Sequence, residues 1–255
     1  MDNTLRFAQI SDLHLYAQKD FVYHEHNTYQ TFVQVIDLLK DEIEDLDFIL
    51  LTGDMAAKQE KEVYYHIDEL ITPLGVKWHW LPGNHDSATL MQAVAPKLGV
   101  QTTRVFEAKG WRFILLNSVD PEEQAVEGIL PPEELQFLNQ HLRDAPDTST
   151  IVALHHQPIA LPGAWVDPLG LQNKEEFYAI VDQHPQIKAV IFGHIHHAKL
   201  WERNQIQYLA APATSYQFNP YTPEFSLDLL APGYRLYTLE TNTIYSEVKR
   251  VSLKN

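Results

Sequence analysis

The feature that most constrains this chain is a repeated unit: a short apolar run of strand length, a tight turn, then a cluster of histidine, aspartate or asparagine. FILLT (48–52) runs into GDM, VKWHWL (76–81) into PGNHD, TIVAL (150–154) into HHQP, and KAVIF (188–192) into GHIHH. LRFAQI (5–10) is followed in the same way by SDLHL. Continuous apolar runs bounded by turn residues read as strands buried on both faces. Patterns of helical period lie between them. In NTYQTFVQVIDLLKDEI (27–43), Tyr29, Phe32, Val33, Ile36, Leu39 and Ile43 fall on one face of a helix. EKEVYYHIDELI (60–71), PPEELQFLNQHLRDA (131–145) and NKEEFYAIVDQH (173–184) read as three more helices. The second of these opens with proline and acids that suit a first turn, and the third pairs Asn173 with Glu176 as a capping box.

RVFEA and WRFILLN flank Lys109-Gly110, a two-residue break that predicts a hairpin. Beyond residue 197 the helical period disappears, and LWERNQIQYLAAPA, FSLDLL, GYRLYTLE and TIYSEVKR read as strands and hairpins. There is no linker and no internal repeat. The expectation is an α/β chain forming one domain over 1–255, with the ligand motifs within 12–196 and a β-rich tail over 197–255: two packed sheets flanked by helices.

Charge narrows the partners. The net charge is −15, from 19 basic and 34 acidic residues, and no cluster of Lys or Arg could track a phosphate backbone, which disfavours nucleic acid. An anionic substrate would need positive charge from elsewhere, such as metal ions. The absence of cysteine removes disulfides and thiolate metal sites. The start, MDNTLRFAQI, lacks the apolar stretch of a secretory signal, and no apolar run reaches the length of a membrane span, so a cytoplasmic location without membrane contact is expected.

The strand ends collect Asp12 and His14, Asp54, then Asn84, His85 and Asp86, then His155 and His156, and finally His194, His196 and His197. Ligand-type residues at the carboxyl ends of successive strands converge on the crevice where open α/β sheets bind their ligands. Imidazole, carboxylate and amide oxygen without sulfur suit zinc, iron or manganese. The set exceeds what one tetrahedral ion needs. Two ions sharing a carboxylate would use it fully, as in hydrolases that displace a leaving group in line. Taken singly, Asp12, Asp54 and Asn84 are ordinary turn residues; the conjunction with the histidines is what points to metal. Asp86 reads as a turn residue or a partner behind the ligands, and Gly53, Gly83 and Gly193 as glycines required by tight turns. His66, His79, His141 and His184 belong to no ligand pattern, while His24 and His26 lie in a polar loop at a candidate pocket rim.

The order D-x-H (12–14), G-D (53–54), G-N-H-D (83–86), a histidine after a strand, and G-H-x-H (193–196) resembles the signature of the calcineurin-like metallophosphoesterases. Outside the ligands, ISDLHLYAQKD, WLPGNHD, ALHHQPIALPGAWVDPLGLQN, IFGHIHH and APATSYQFNPYTPEFSLDLLAPGYRLYTL are similar to the bacterial class III cyclic-nucleotide phosphodiesterases, the CpdA (Icc) family. That resemblance implies a four-layer α/β/β/α sandwich of two mixed sheets, two divalent or trivalent metal ions (Fe, Mn or Zn), and hydrolysis of 3′,5′-cyclic AMP to 5′-AMP by attack of a metal-bound hydroxide. It places Asp12, His14, Asp54 and His196 on one metal and Asp54, Asn84, His155 and His194 on the other, with Asp54 bridging. The family pattern favours His155 over His156, although the motif alone does not separate neighbours. His85 becomes the catalytic histidine, with the phosphate lying against His14, Asp54, Asn84, His85 and His196.

Two positions depart from the pattern. Related protein phosphatases carry an aspartate three residues after the bridging one, orienting the catalytic histidine; here that residue is Ala57, so His85 needs another partner. The usual glutamine after G-H-x-H is His197, which would alter one wall of the pocket. Trp165, Tyr216 and Phe218 are candidates for stacking on the base, against the plainer reading of packing. The same fold and metals could instead act on 2′,3′-cyclic nucleotides, glycerophosphodiesters or another small phosphodiester. A non-catalytic scaffold would be expected to have lost ligands that are all present here.

Overall fold

Each apolar run forms a strand whose alternate residues feed two different layers. The computed structural model describes residues 4–23, 25–120, 125–241 and 243–252. In chain order the elements are β1 (Leu5–Ile10), α1 (Thr28–Leu39), β2 (Phe48–Thr52), α2 (Lys61–Ile71), β3 (Lys77–Leu81), α3 (Ala88–Val94), β4 (Val105–Ala108) and β5 (Trp111–Leu115). They continue with α4 (Pro132–Arg143), β6 (Thr150–Ala153), α5 (Lys174–Val181), β7 (Ile187–Phe192), β8 (Lys199–Arg203), β9 (Ile206–Ala210), β10 (Gln217–Phe218), β11 (Leu227–Asp228), β12 (Gly233–Glu240) and β13 (Thr243–Arg250).

The larger sheets are both mixed. One has the order β13-β12-β1-β2-β3, the other β4-β5-β6-β7-β9-β8. Strands β1, β2 and β3 run parallel, as do β5, β6, β7 and β9, while β12, β13, β4 and β8 are antiparallel additions. Between the sheets lie Leu5 and Phe7 of β1, Phe48 and Leu50 of β2, Trp111 and Phe113 of β5, Ile151 of β6, Ala189 and Ile191 of β7, and Tyr237 of β12. The alternate residues face outward: Ala8, Ile10, Ile49 and Leu51 pack with Phe32, Val35, Val63 and Ile67 of α1 and α2. On the far side Ile114, Val152 and Val190 pack with Leu135, Leu138 and Phe177 of α4 and α5. This is the expected four-layer α/β/β/α sandwich, and the period-two pleat explains why the strand sequences are apolar throughout. Among the described residues no helix is long and apolar enough to cross a membrane.

Local departures from the sequence reading have local causes. The helix expected over 27–43 stops at Leu39 and continues as a 3₁₀ turn over Lys40–Asp45, where Glu42 and Asp45 each reach Arg6 at 2.8 Å. Its buried stripe is Thr28, Phe32, Val35, Ile36 and Leu39, so Val35 takes the place expected of Val33. The capping box at Asn173 does not form. Its amide instead brackets Leu130, accepting from the Leu130 N–H at 3.0 Å and donating to the Leu130 carbonyl at 2.8 Å. Helix α3 was not legible, being only seven residues long, although Ser87 caps it by accepting from the Leu90 N–H. Lys109 and Gly110 make the expected hairpin turn, both with left-handed backbone (φ 44° and 82°).

Phe7 is the centre of the inter-sheet layer. It stacks on Tyr237 (4.5 Å) and Phe48 (4.9 Å) and meets Phe113 of the opposite sheet edge-on (5.4 Å). Phe7→Ala is expected to destabilise the protein by about 3–5 kcal/mol, read as a lower denaturant midpoint with an unchanged slope.

Candidate metal centre

All the parallel strands end on the same side, and the two sheets meet there. Hydrogen bonding of the β1–β2 type continues past the strand ends: Asp12 N–H donates to Gly53 O (3.1 Å), His14 N–H to Asp54 O (2.9 Å), Leu15 N–H to Met55 O (3.0 Å) and Ala57 N–H to Leu15 O (2.8 Å). This ladder brings the first two motifs into register. Two side-chain contacts tie them to the second sheet: the Asp12 carboxylate accepts from the His194 N–H (3.1 Å), and His155 Nδ1 donates to Thr52 O (2.8 Å).

The backbone there is unusual. Asp12, His14, Asp54, His194 and His196 all have positive φ (55°, 46°, 52°, 69° and 46°). Left-handed backbone at residues other than glycine costs on the order of 1 kcal/mol each and persists only where the surroundings enforce it. The loops therefore spend conformational energy to turn these side chains inward. The neighbouring glycines make room. A Cβ on Gly193 would lie 2.0 Å from Ser11 Oγ and 2.7 Å from Asp12 Oδ2, and one on Gly53 (φ 95°) 2.4 Å from His155 Nδ1.

Every expected donor reaches the same place. The ligand atoms of Asp12, His14, Asp54 and His196 all lie within 4.8 Å of one another. His14 Nε2 is 2.9 Å from His196 Nε2 and 3.5 Å from Asp54 Oδ2, and His196 Nε2 is 3.5 Å from Asp12 Oδ1. On the other side His155 Nε2 lies 3.3 Å from Asp54 Oδ2, 3.2 Å from Asn84 Oδ1 and 3.2 Å from His194 Nδ1. One oxygen of Asp54 thus serves both groups, while its other oxygen accepts from the His85 N–H at 2.9 Å.

The donors fit cations. His155 and His196 each donate Nδ1–H to a backbone carbonyl, of Thr52 and Tyr216 respectively, which fixes the tautomer and leaves Nε2 turned into the cluster. Buried His194 Nε2 has no hydrogen-bond partner. Burial holds His14 and His194 down to about 3, and His196 well below its ordinary value, so their lone pairs are open at neutral pH. Burial also pushes Asp12 up to about 7. Burial pulls His155 down, but the carboxylates of Asp54 and Asp12 outweigh it and raise the imidazole to about 9. The same pairing holds Asp54 well below the usual carboxylate range against the opposing effect of burial. A proton on His155 does here what a cation would do: it stops Asp54 and Asn84 oxygens from facing a lone pair.

His156 is directed elsewhere. Although it lies beside His155 and His194, its Nδ1 meets Ser118 Oγ at 2.8 Å and its Nε2 meets Val126 O at 3.1 Å. His85 is half-buried, its ring edge-on to His14 at 4.8 Å. Its Nδ1 donates to the carbonyl of Ala57 at 3.1 Å. The residue that lacks an orienting carboxylate supplies a backbone oxygen instead. Asp86, expected as a turn or supporting residue, is buried and accepts from Met55 N–H, Ala56 N–H, Gly83 N–H and the Tyr64 hydroxyl, which pins the His85 loop to the Asp54 loop.

An open cleft of about 220 Å³ leads to the cluster, lined by His14, Asp54, Asn84, His85, His194 and His196 and by Trp165, Tyr216 and Phe218. A second hollow of about 230 Å³, with Ala57, Lys58 and Gln59, opens on the same Asn84 and His85. His197 is not on the cleft wall as expected; its ring packs edge-on against Tyr221 at 5.4 Å. His26 sits beside the cleft residue Tyr216 (5.8 Å), and His24 lies outside the described residues. His66, His79 and His184 have structural partners: Ala17 O, the Phe106 ring and Asn139. The sequence reading missed Tyr23, Val126 and Phe225 as cleft residues; Tyr23 and Val126 come from loops without motif, Phe225 from a stretch similar to the family, and only the folded chain brings them there.

Comparison with known proteins agrees with this geometry. Residues 5–198 match the calcineurin-like phosphoesterase family. The chain is 35% identical over 248 residues to a 3′,5′-cyclic-nucleotide phosphodiesterase of Nostoc, covering 97% of this chain and 92% of that one. It is 33% identical over 250 residues to the 3′,5′-cyclic adenosine monophosphate phosphodiesterase CpdA of Escherichia coli, covering 97% and 90%. Among solved structures, a dimetal phosphatase from Danio rerio superposes with a TM-score of 0.66 at 14% identity, covering 97% of this chain and 99% of that one. GAP50, the anchor in the inner membrane complex of Plasmodium, does so at 0.64 and 14%, covering 97% and 85%. These two structures speak to the fold alone, since the same architecture carries a phosphatase and an anchor.

Gly193→Ala is expected to displace Ser11 and Asp12 and to cost about 1–3 kcal/mol from overpacking, measured as a lower thermal midpoint and weaker metal binding, whereas Gly163→Ala, with open space around its Cβ but φ 81°, costs about 1 kcal/mol of local backbone strain and leaves metal binding unchanged.

Proposed function

This chain belongs to the calcineurin-like phosphoesterase family, and from that premise we propose that it is a metal-dependent phosphodiesterase hydrolysing 3′,5′-cyclic AMP to 5′-AMP. The observation that carries this reading is a donor set around Asp54, whose Oδ2 is met by His14 of one group and His155 of the other. It occurs in a chain aligned nearly end to end with relatives named for that reaction.

We assign Asp12, His14, Asp54 and His196 to one ion and Asp54, Asn84, His155 and His194 to the other. The engagement of both His156 nitrogens by Ser118 and Val126 supports His155 as the ligand. Two such ions, when bound, neutralise the phosphodiester and lower the pKa of water so that a nucleophile exists at neutral pH. This explains how a protein of charge −15 accepts an anion. The neutral imidazoles of His14, His194 and His196 offer lone pairs without a competing proton. His85, held through Nδ1 by Ala57 O, turns Nε2 toward the phosphate and holds the proton for the departing ribose 3′-oxygen. As the new P–O bond forms opposite it, the P–O3′ bond breaks and that oxygen leaves protonated. Asn84 joins the metal side to the His85 loop, next to it in sequence. The same reading treats the whole chain as one domain, working in the cytoplasm on a small cyclic nucleotide rather than on nucleic acid.

His85→Ala and Asn84→Ala are both expected to lose about 10²–10⁴-fold in kcat while circular dichroism shows the fold retained, the thermal midpoint staying near wild type for His85→Ala and falling for Asn84→Ala as ion binding weakens; near-normal turnover by manganese-loaded Asn84→Ala protein would count heavily against the assignment. Parallel assays on 3′,5′-cyclic AMP, 2′,3′-cyclic AMP and an aryl phosphodiester test the substrate. Chelation is expected to abolish turnover and lower the thermal midpoint, because ions that bind only the folded state stabilise it. Added Mn²⁺ should restore both, and a chelated protein that still cleaves cyclic AMP at full rate would overturn the reading.

A further inference from the structure

His155, His156 and Gln157 follow one another off the end of β6, each no more than 1% exposed. The first turns Nε2 into the donor cluster. The next two leave the cluster and reach backbone carbonyls on two separate loops. A carbonyl only accepts, so His156 Nε2 carries the proton that goes to Val126 O at 3.1 Å. That tautomer leaves a lone pair on Nδ1. The buried Ser118 hydroxyl donates to it at 2.8 Å, and the same oxygen accepts from the His156 N–H at 3.3 Å. Gln157 donates from Nε2 to Val166 O at 2.9 Å.

Both carbonyls belong to residues that line the cleft, and Val126 also borders the second hollow beside Asn84 and His85. The two loops are joined to each other and to this strand end. Gly128 N–H donates to Gly170 O (3.2 Å), Gln172 N–H to Gly128 O (2.8 Å), and Leu171 N–H to Gln157 O (2.9 Å). The glycines let the loops close down on the pair. A Cβ on Gly128 would lie 2.4 Å from His156 Cγ, and one on Gly170 2.7 Å from Gln157 Nε2. A buried polar network whose bonds are made in this way is rigid. One strand end therefore holds both a metal donor and the backbone of two cleft-wall residues.

Resting on the phosphodiesterase reading above, we propose that His156 and Gln157 are positioning residues: through Val126 O and Val166 O they set the cleft wall against which the substrate lies, at a fixed place relative to the donor cluster. In manganese-loaded protein, His156→Leu and Gln157→Met keep bulk but lose the donor. Each is expected to raise KM for cyclic AMP about tenfold while kcat changes less than about threefold. His156→Gln, which restores an amide donor, should keep KM within about threefold of wild type. Bound manganese per chain should match wild type in all three. A merely structural role would instead lower the active fraction, and with it the apparent kcat, leaving KM in place. If His156→Leu does not fold, Ser118→Ala takes its place, with an expected KM rise of about threefold.

Unchanged KM in Gln157→Met and in the His156→Leu or Ser118→Ala protein overturns the positioning role. So does loss of bound manganese in His156→Leu, which would make His156 an ion ligand. A wild-type enzyme inert on cyclic AMP overturns the cyclic-nucleotide reading; the wall is then judged by the same KM ratios on the aryl phosphodiester, and inertness there overturns both.

Discussion

The structure is organised around the mutual neutralisation of charge and lone pairs among side chains that the fold almost wholly buries. Asp12, Asp54, His155 and His196 are each no more than 2% exposed, and none has room to turn away. Carboxylates and imidazoles at such density repel unless something positive sits among them, whether a proton or a metal ion. The loops accept left-handed backbone at five of these residues to build the cluster. Folding energy from the rest of the molecule holds an arrangement that the loops alone would abandon.

That energy comes from the sandwich. The aromatic layer between the sheets sets where the parallel strands end relative to one another. Just beneath the cluster Gln9 spans both sheets, donating to Thr52 Oγ1 and Phe192 O while accepting from the Tyr237 hydroxyl. A buried amide with its partners supplied from three other strands permits little sliding of one sheet over the other. The separation of the two halves of the donor set is therefore a property of the core as much as of the loops.

Much of this was legible in the sequence because strand ends carry their chemistry locally. FILLT-GD and KAVIF-GHIHH display both the buried strand and its donors in adjacent residues, and the ladder beyond β1 and β2 needs only their parallel pairing. What was not legible depends on contacts far apart in the chain. The tail read correctly as strands, yet nothing local told that β12 would pair with β1 while β8 and β9 joined the other sheet. His197, adjacent to a donor, was expected on the pocket wall and faces Tyr221 instead. Asn173 fits a capping pattern but is claimed by Leu130, a competitor 43 residues away. The aromatic lining of the cleft was visible only as scattered residues: Trp165 and Phe218 could be named as candidates, Tyr23 lies in a stretch with no distinguishing spacing, and Phe225, though inside a family-similar stretch, carries no local sign of facing the cleft.

The partner of His85 has a consequence for how function is encoded. Related phosphatases aim this imidazole with a side chain, which a single codon can remove. Here the aim comes from the main-chain oxygen of Ala57, whose position is set by the peptide path from Asp54 and by the Leu15 carbonyl that receives its N–H. A scan of side-chain substitutions would pass over this position in silence, since it is already alanine. Only a change in the length or course of the segment between residues 54 and 57 could reveal it.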